Sequence, residues 1–275
     1  MATITKAIIP VAGWGTRRLP ITKAVEKCML PVGNRPIVDY VVRDCIKAGI
    51  QEIYFVVNKG STQLQQYYSD NEQLNQFLEY NRKQDLVNLA KPPQNVTFHY
   101  IEQDSNHKYG TAIPVGLVFP QLHKDESVVF VQGDAFYHSD DGSSEIARLL
   151  AATPAGGASV LASQVPPQEV SRYGVIDFSE ETGGFQAIVE KPAVDQAPSN
   201  FINHGNYVLN YDLLRRTYEY GQLDVSGEYF ITSVLTQYAV EKGVVTVVTA
   251  QSDYLDCGNV HGWLHANNLI VEHTT

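Results

Sequence analysis

The chain has 275 residues, 44% of them apolar and 18% charged, and its 20 Lys and Arg against 30 Asp and Glu give a formal net charge of -10. Such a chain can bury a sizeable core, while its acidic balance argues against general affinity for nucleic acid or an anionic membrane, so an anionic ligand has to be met locally. Cys28, Cys45 and Cys257 are scattered and odd in number, suggesting neither a disulfide framework nor a CxxC metal site; with no run of 18 apolar residues and no signal-like segment, a soluble, unprocessed protein of the reducing cytoplasm is expected.

In chain order, Lys6 to Val11 is a short apolar run ending in glycine, and "PIVDYVVRDCIKAGI" then places apolar residues at 37, 38, 41, 42, 45 and 46, the spacing of a helix face. "EIYFVVN" is continuously apolar and β-branched, as a strand buried on both faces would be, and polar helical sequence follows from about Thr62 to Leu89. "NVTFHYI" reads as a strand, 111–118 as a helix with Thr111 as its N-cap and Pro114 at its third position, and "SVVFVQGD" as another strand. Strands alternating with helices predict a parallel sheet with right-handed crossovers, whose ligands bind at the carboxyl ends of the strands. From Gly156 the strands come more often ("GASVLASQV", "YGVIDF", "GFQAIVEKP", "GNYVLN") before helices resume near Tyr211, Gly227 and Val260. That predicts a mixed extension over one end of the sheet within a single domain, 1–275.

The stretch after the first strand, "AGWGTRRLPITKAVEKCMLP", combines two glycines with Arg17, Arg18, Lys23 and Lys27. Glycines let backbone N–H groups approach phosphate, and Arg and Lys complement them by forked hydrogen bonds and point charge. The dinucleotide fingerprint GxGxxG fails here because Arg18 holds the third glycine position, and no GxxxxGK[ST] occurs. The eight histidines include no HExxH motif, so structural or surface roles are expected of them. Cys257 has no base partner and reads as a small packed residue.

The same stretch resembles the GxGTRxxPxTxxxxKxxLP signature of the sugar-1-phosphate nucleotidyltransferases, a Rossmann-like family. Four further stretches in the right order, "NEQLNQFLEYNRKQDLVNL", "RYGVIDF", "EKPAVDQAPSNFINHGNYVL" and "DYLDCGN", are similar to its bacterial UTP:glucose-1-phosphate uridylyltransferase (UDP-glucose pyrophosphorylase) members, so the resemblance covers nearly the whole chain. It implies an α/β fold with a mostly parallel sheet flanked by helices and a smaller mixed extension, as in type A-like glycosyltransferases. A nucleotide half of about 1–155 would be followed by a sugar half and C-terminal helices over about 156–275.

The resemblance also implies a site. Ala12 and Gly13 would meet uracil, with Gly15 and Thr16 in the same loop, and Arg17 and Lys27 would address the phosphates. Gln103 and Gly110 match the second base-binding segment. Asp134 and Asp256 match the carboxylates that hold Mg2+, whose hard charge needs oxygen ligands; read as bare residues, they could equally be a turn residue and a helix cap. Gly174, Glu190, Lys191, Gly205 and Asn206 match the sugar-phosphate side. The implied reaction is attack of glucose 1-phosphate on the α-phosphorus of UTP, giving UDP-glucose and pyrophosphate, with Arg17, Lys27 and Asp134 as the catalytic groups. A homodimer or homotetramer is the implied assembly.

Departures from the pattern keep two alternatives open. Tyr109-Gly110-Thr111-Ala112 stands where the family often has "LGHA", and "GEYFITS", with Tyr229 and Ser233, stands where "GEIQLTD" is more common. These forms resemble the acetylglucosamine and mannose members, and the alternative within enzymes is a thymidylyl- or N-acetylglucosamine-type transferase. The other class is a non-catalytic nucleotide-sugar sensor, which would bind without needing metal and leaving-group charge together.

Overall fold

A computed structural model describes residues 3–104, 107–179, 181, 184–224, 226–242 and 244–274. Its strands are β1 (Lys6–Pro10), β2 (Pro31–Val32), β3 (Arg35–Pro36), β4 (Glu52–Asn58), β5 (Thr97–Gln103), β6 (Val128–Phe130), β7 (Ala135–His138), β8 (Ala158–Gln164), β9 (Gly174–Phe178), β10 (Phe185–Glu190), β11 (Phe201–Leu209), β12 (Val245–Thr249) and β13 (Asp253–Asp256). Its α-helices are α1 (Ile37–Lys47), α2 (Gln63–Tyr67), α3 (Glu72–Tyr80), α4 (Gln84–Ala90), α5 (Ala112–Val118), α6 (Glu145–Ala152), α7 (Tyr211–Gln222), α8 (Ile231–Lys242) and α9 (Val260–Thr274). Among the described residues no helix is long and apolar enough to cross a membrane.

The order β10-β9-β11-β6-β1-β4-β5 runs through one sheet, with β8 on β11 and β12 on β8. β6, β1, β4 and β5 pair in parallel, as expected of alternating strands and helices. The strands after Gly156 continue this same sheet past β6, instead of covering its end, because β11 pairs antiparallel with β6 and carries β8 and β9 on its other contacts.

β4 shows why its sequence has no polar alternation. Ile53, Phe55 and Val57 pack with Val38, Val41 and Cys45 of α1, whereas Tyr54 and Val56 pack on the opposite face with Val115 of α5 and Leu213 and Leu214 of α7. A sheet covered on both faces selects apolar residues at every position.

Two helix expectations change. The polar helical stretch after Thr62 is three helices: Asn71 opens α3 by accepting a bond from the Leu74 N–H (3.0 Å), and Arg82, left-handed at φ 56°, ends it. The helix expected near Gly227 begins only at Ile231, since Tyr229 is held by the 109–112 turn, its N–H donating to Tyr109 O and its carbonyl accepting from Ala112 N, both at 2.9 Å. α5 does follow Thr111 with Pro114 at its third position. Yet the Thr111 hydroxyl accepts from the Ile231 N–H at 3.0 Å and does not cap its own helix.

Candidate active site

Gln103, the last residue of β5, and the loops that leave β1 and β6 meet at a cavity of about 700 Å³. Ala12, Gly13, Gly15, Thr16, Arg17, Lys27, Gln103, Gly110 and Asp134 all line it, so the structure brings together every residue expected on the nucleotide side. Its volume is that of a small-molecule site.

The glycine loop is built by local demands. Gly15 sits at φ 62°, and a Cβ there would lie 3.0 Å from both Lys27 Cβ and Thr22 Cγ2. Backbone conformation and packing therefore both select glycine. The Thr22 hydroxyl closes the turn by donating to Gly15 O at 2.9 Å. At the opposite wall Gly110, at φ 118°, leaves only 2.5 Å between a notional Cβ and Tyr229 O.

The basic cluster divides. Arg17 and Lys27 face the cavity and Lys23 is exposed, but Arg18 is 4% exposed and points away from it. Arg18 Nη1 donates to Cys257 O (3.1 Å) and Asn259 O (2.9 Å), and its guanidinium lies over the Trp263 ring, 5.0 Å from the centroid. Buried hydrogen bonds from a charged group contribute about 1.5–3 kcal/mol each. We expect Arg18→Ala to lower unfolding free energy by about 3 kcal/mol, read from the urea midpoint at constant slope; a change under about 0.5 kcal/mol would contradict a clamp.

Asp134 directly precedes β7, and β7 pairs antiparallel with β13 so that Ala135 lies opposite Asp256. The register brings Asp256 to the strand beside the one that Asp134 precedes, although the two are 122 positions apart by their residue numbers and only Asp134 lines the cavity. Lys27 Nζ donates to Asp134 Oδ2. Asp256 Oδ1 accepts from Gly258 N at 2.7 Å, whereas it is the Asn259 side chain that accepts from Gly262 N (3.0 Å) at the start of α9, so Asp256 is not the helix cap. Two carboxylates brought near each other by this strand pairing supply the oxygen ligands that a hard divalent cation such as Mg2+ takes. β13 is itself held from behind: the buried Glu145 carboxylate of α6 accepts from Gln251 N, Ser252 N and the Ser252 hydroxyl at 2.7–3.0 Å.

The residues expected on the sugar side cluster separately. Gly174 on β9 lies opposite Glu190 on β10 and Asn203 on β11. Lys191 follows in left-handed backbone, φ 46°, with its N–H on Tyr173 O at 3.0 Å; non-glycine residues in this region often sit at functional positions. None of Gly174, Glu190, Lys191, Gly205, Asn206 and Asp256 lines the cavity itself. The connection runs through Gln132, a cavity residue whose N–H donates to Asn206 Oδ1 at 3.0 Å.

Trp14, Tyr109, Gln132 and Glu228 line the cavity without having been singled out. Trp14 had a signal, a large apolar side chain between two glycines, and it is 62% exposed. Glu228 is held above the usual carboxylate range by burial first and by the Glu190 charge second, with Lys191 opposing. Cys257 is buried, its thiol pushed up to about 12, which fits packing and not nucleophilic chemistry. His204 is buried and held down to about 3 by desolvation, with Nδ1 2.6 Å from the Tyr137 hydroxyl, a structural role.

A nucleotidyl transferase family model matches residues 6–273. The UTP–glucose-1-phosphate uridylyltransferase of Haemophilus influenzae is 33% identical, the alignment covering 95% of this chain and 91% of that protein. A UTP-bound UGPase from Acinetobacter baumannii superposes with a TM-score of 0.87 at 27% identity, over 98% of this chain and 93% of that one. A UDP-glucose pyrophosphorylase complexed with UDP-glucose gives 0.81 at 26% identity, over 98% and 99%. Matched from the first strand to the last helix, with the signature loop folded around the cavity, this chain belongs to the nucleotidyl transferase family.

Proposed function

We propose that this protein is a UTP:glucose-1-phosphate uridylyltransferase, which joins UTP and glucose 1-phosphate into UDP-glucose and releases pyrophosphate. The observation that carries the choice of base is Gln103: it lines the cavity, is 6% exposed, and its buried Oε1 has no hydrogen-bond partner. A buried amide oxygen is costly to leave unpaired, and the N3–H of uracil supplies the donor it lacks. Curated relatives with this activity align along almost the whole chain.

A phosphate oxygen of glucose 1-phosphate attacks the α-phosphorus of UTP in line, the bond to the bridging oxygen breaks, and pyrophosphate departs with that electron pair. The half before about residue 155 holds the nucleotide, the loop backbone at Ala12 and Gly13 meeting the base and Arg17 and Lys27 the phosphates. In the half after it, Glu190 accepts sugar hydroxyls, Lys191 meets the sugar's phosphate, and Gly174 at the start of β9 and Gly205 and Asn206 at the irregularity within β11 shape the backbone around them. Asp134 and Asp256 would hold Mg2+, which when bound offsets phosphate charge. Catalysis then rests on positioning and on charge already in place, with no covalent enzyme intermediate. A soluble cytoplasmic homo-oligomer is the assembly that fits this reading.

The reading is tested by pyrophosphate release in Mg2+ over a grid of UTP, dTTP, ATP, CTP and GTP against glucose, galactose, mannose and N-acetylglucosamine 1-phosphates. A dominant UTP and glucose 1-phosphate cell, abolished by EDTA, is expected. Dominance of a thymidylyl or acetylglucosamine cell would reassign the substrate, and no turnover with retained UTP binding would leave a sensor. Gln103→Ala is expected to shrink the UTP over CTP preference in kcat/KM by about tenfold or more, because a hydrogen-bonding site rejects mismatched edges strongly. An unaltered ratio removes Gln103 from the base site.

A further inference from the structure

His138, Asp140 and His273 meet where the end of β7 touches the last turn of α9, and nothing in the proposed reaction uses them. The Nε2 atoms of both histidines lie 3.3 Å from the same Asp140 oxygen, Oδ1, and all three ligand atoms fall within 4.8 Å of one another. Bonds of about 2.0–2.1 Å to tetrahedral zinc place neighbouring ligand atoms about 3.3 Å apart. The two rings meet edge-on at 64°, 5.0 Å between centroids, so they converge without stacking.

The surroundings of each imidazole suit ligation as well. His273 Nδ1 is 2.8 Å from Leu269 O. A proton on Nδ1 that donates to this carbonyl leaves the lone pair on Nε2, the arrangement that outer partners impose on metal-bound histidines. His138 Nε2 is buried and, although close to Asp140, makes no aligned hydrogen bond. An unsatisfied buried nitrogen calls for a partner.

We infer that His138, Asp140 and His273 form a second cation site, for a zinc-class transition ion, that fastens α9 to the end of β7. Two imidazoles and a carboxylate suit zinc, whereas the oxygen-only pair Asp134 and Asp256 suits magnesium. The sites are separate: four residues of extended chain put His138 about 13 Å from Asp134 along the strand. The second site stands whether or not the substrate reading does.

The test is calorimetric titration of the purified full chain with ZnCl2 in excess Mg2+, which keeps the carboxylate pair filled. One zinc per chain is expected, with a rise in Tm. His273→Ala should weaken binding by at least about tenfold, since even an outer partner is worth that much, and should lose the Tm rise while Mg2+-supported turnover stays unchanged. Asp134→Asn should leave zinc binding intact. If His138→Gln fails to fold, the exposed His273 still decides, with Co2+ absorption as a second readout that His273→Ala should abolish. No zinc binding in excess Mg2+, or equal binding by His273→Ala, overturns the site.

Discussion

A Lys27→Ala enzyme is expected to turn over about a hundred- to a thousandfold more slowly than the parent, with KM for UTP changed far less, since that is the span for losing one preorganised group at developing charge. The side chain is suited to that role. The turn at Gly15 runs so close to its Cβ and Cγ that a side chain there would crowd them, and its ammonium reaches Asp134 at the edge of the cavity. A lysine kept in place before substrate arrives does not have to reorganise when charge builds on the pyrophosphate. Steady-state kinetics with UTP varied separates the possibilities: unchanged kcat with a raised KM would mean that Lys27 binds ground and transition states equally. Lys27→Arg should rescue poorly, because a planar fork does not replace a point charge in a space shaped for it.

The second large effect belongs to Asp134. Asp134→Asn keeps the shape and removes the charge, and kcat should fall by about a thousandfold, with activity shifted to much higher Mg2+ concentration. Because Asp134 is also the partner of Lys27, the single variant alters two things at once. Asp256→Asn supplies the control: its carboxylate is bonded to Gly258 N and not to Lys27. Similar Mg2+ shifts in both variants would support a shared ion, whereas a loss in Asp134→Asn that excess Mg2+ never touches, with Asp256→Asn near normal, would leave Asp134 as a holder of Lys27 only. The double variant Lys27→Ala, Asp134→Asn should cost much less than the two losses multiplied together, as groups that act as a unit do.

What could be read in advance followed from local chemistry. The strand at 52–58 was legible because burial on both faces removes polar alternation, and the glycine loop because Gly15, Arg17 and Lys27 have backbone and charge requirements that sequence displays directly. Loop geometry was less legible: Thr111 looked like a cap, but its hydroxyl serves Ile231, a residue 120 positions away. Arg18 looked like one of four equivalent basic residues until its buried bonds to the 257–259 backbone set it apart. The His138, Asp140 and His273 cluster was invisible to spacing rules, since its members come from β7, the following loop and α9. Glu228 likewise reached the cavity through a tertiary contact, the pairing of Tyr229 with the 109–112 turn.

The Arg18 clamp has a consequence for how the molecule comes into being. Its two carbonyl partners follow it by 239 and 241 residues. A contact with that separation closes late, after much chain entropy has been surrendered elsewhere. During synthesis the loop with Arg17 and Lys27 is therefore made near the beginning, yet its Arg18 clamp waits until the segment carrying Asp256 has emerged from the ribosome. On the proposed roles, Arg17 and Lys27 for the nucleotide and Asp256 for the cation, both ends of the site are joined by the same late contact.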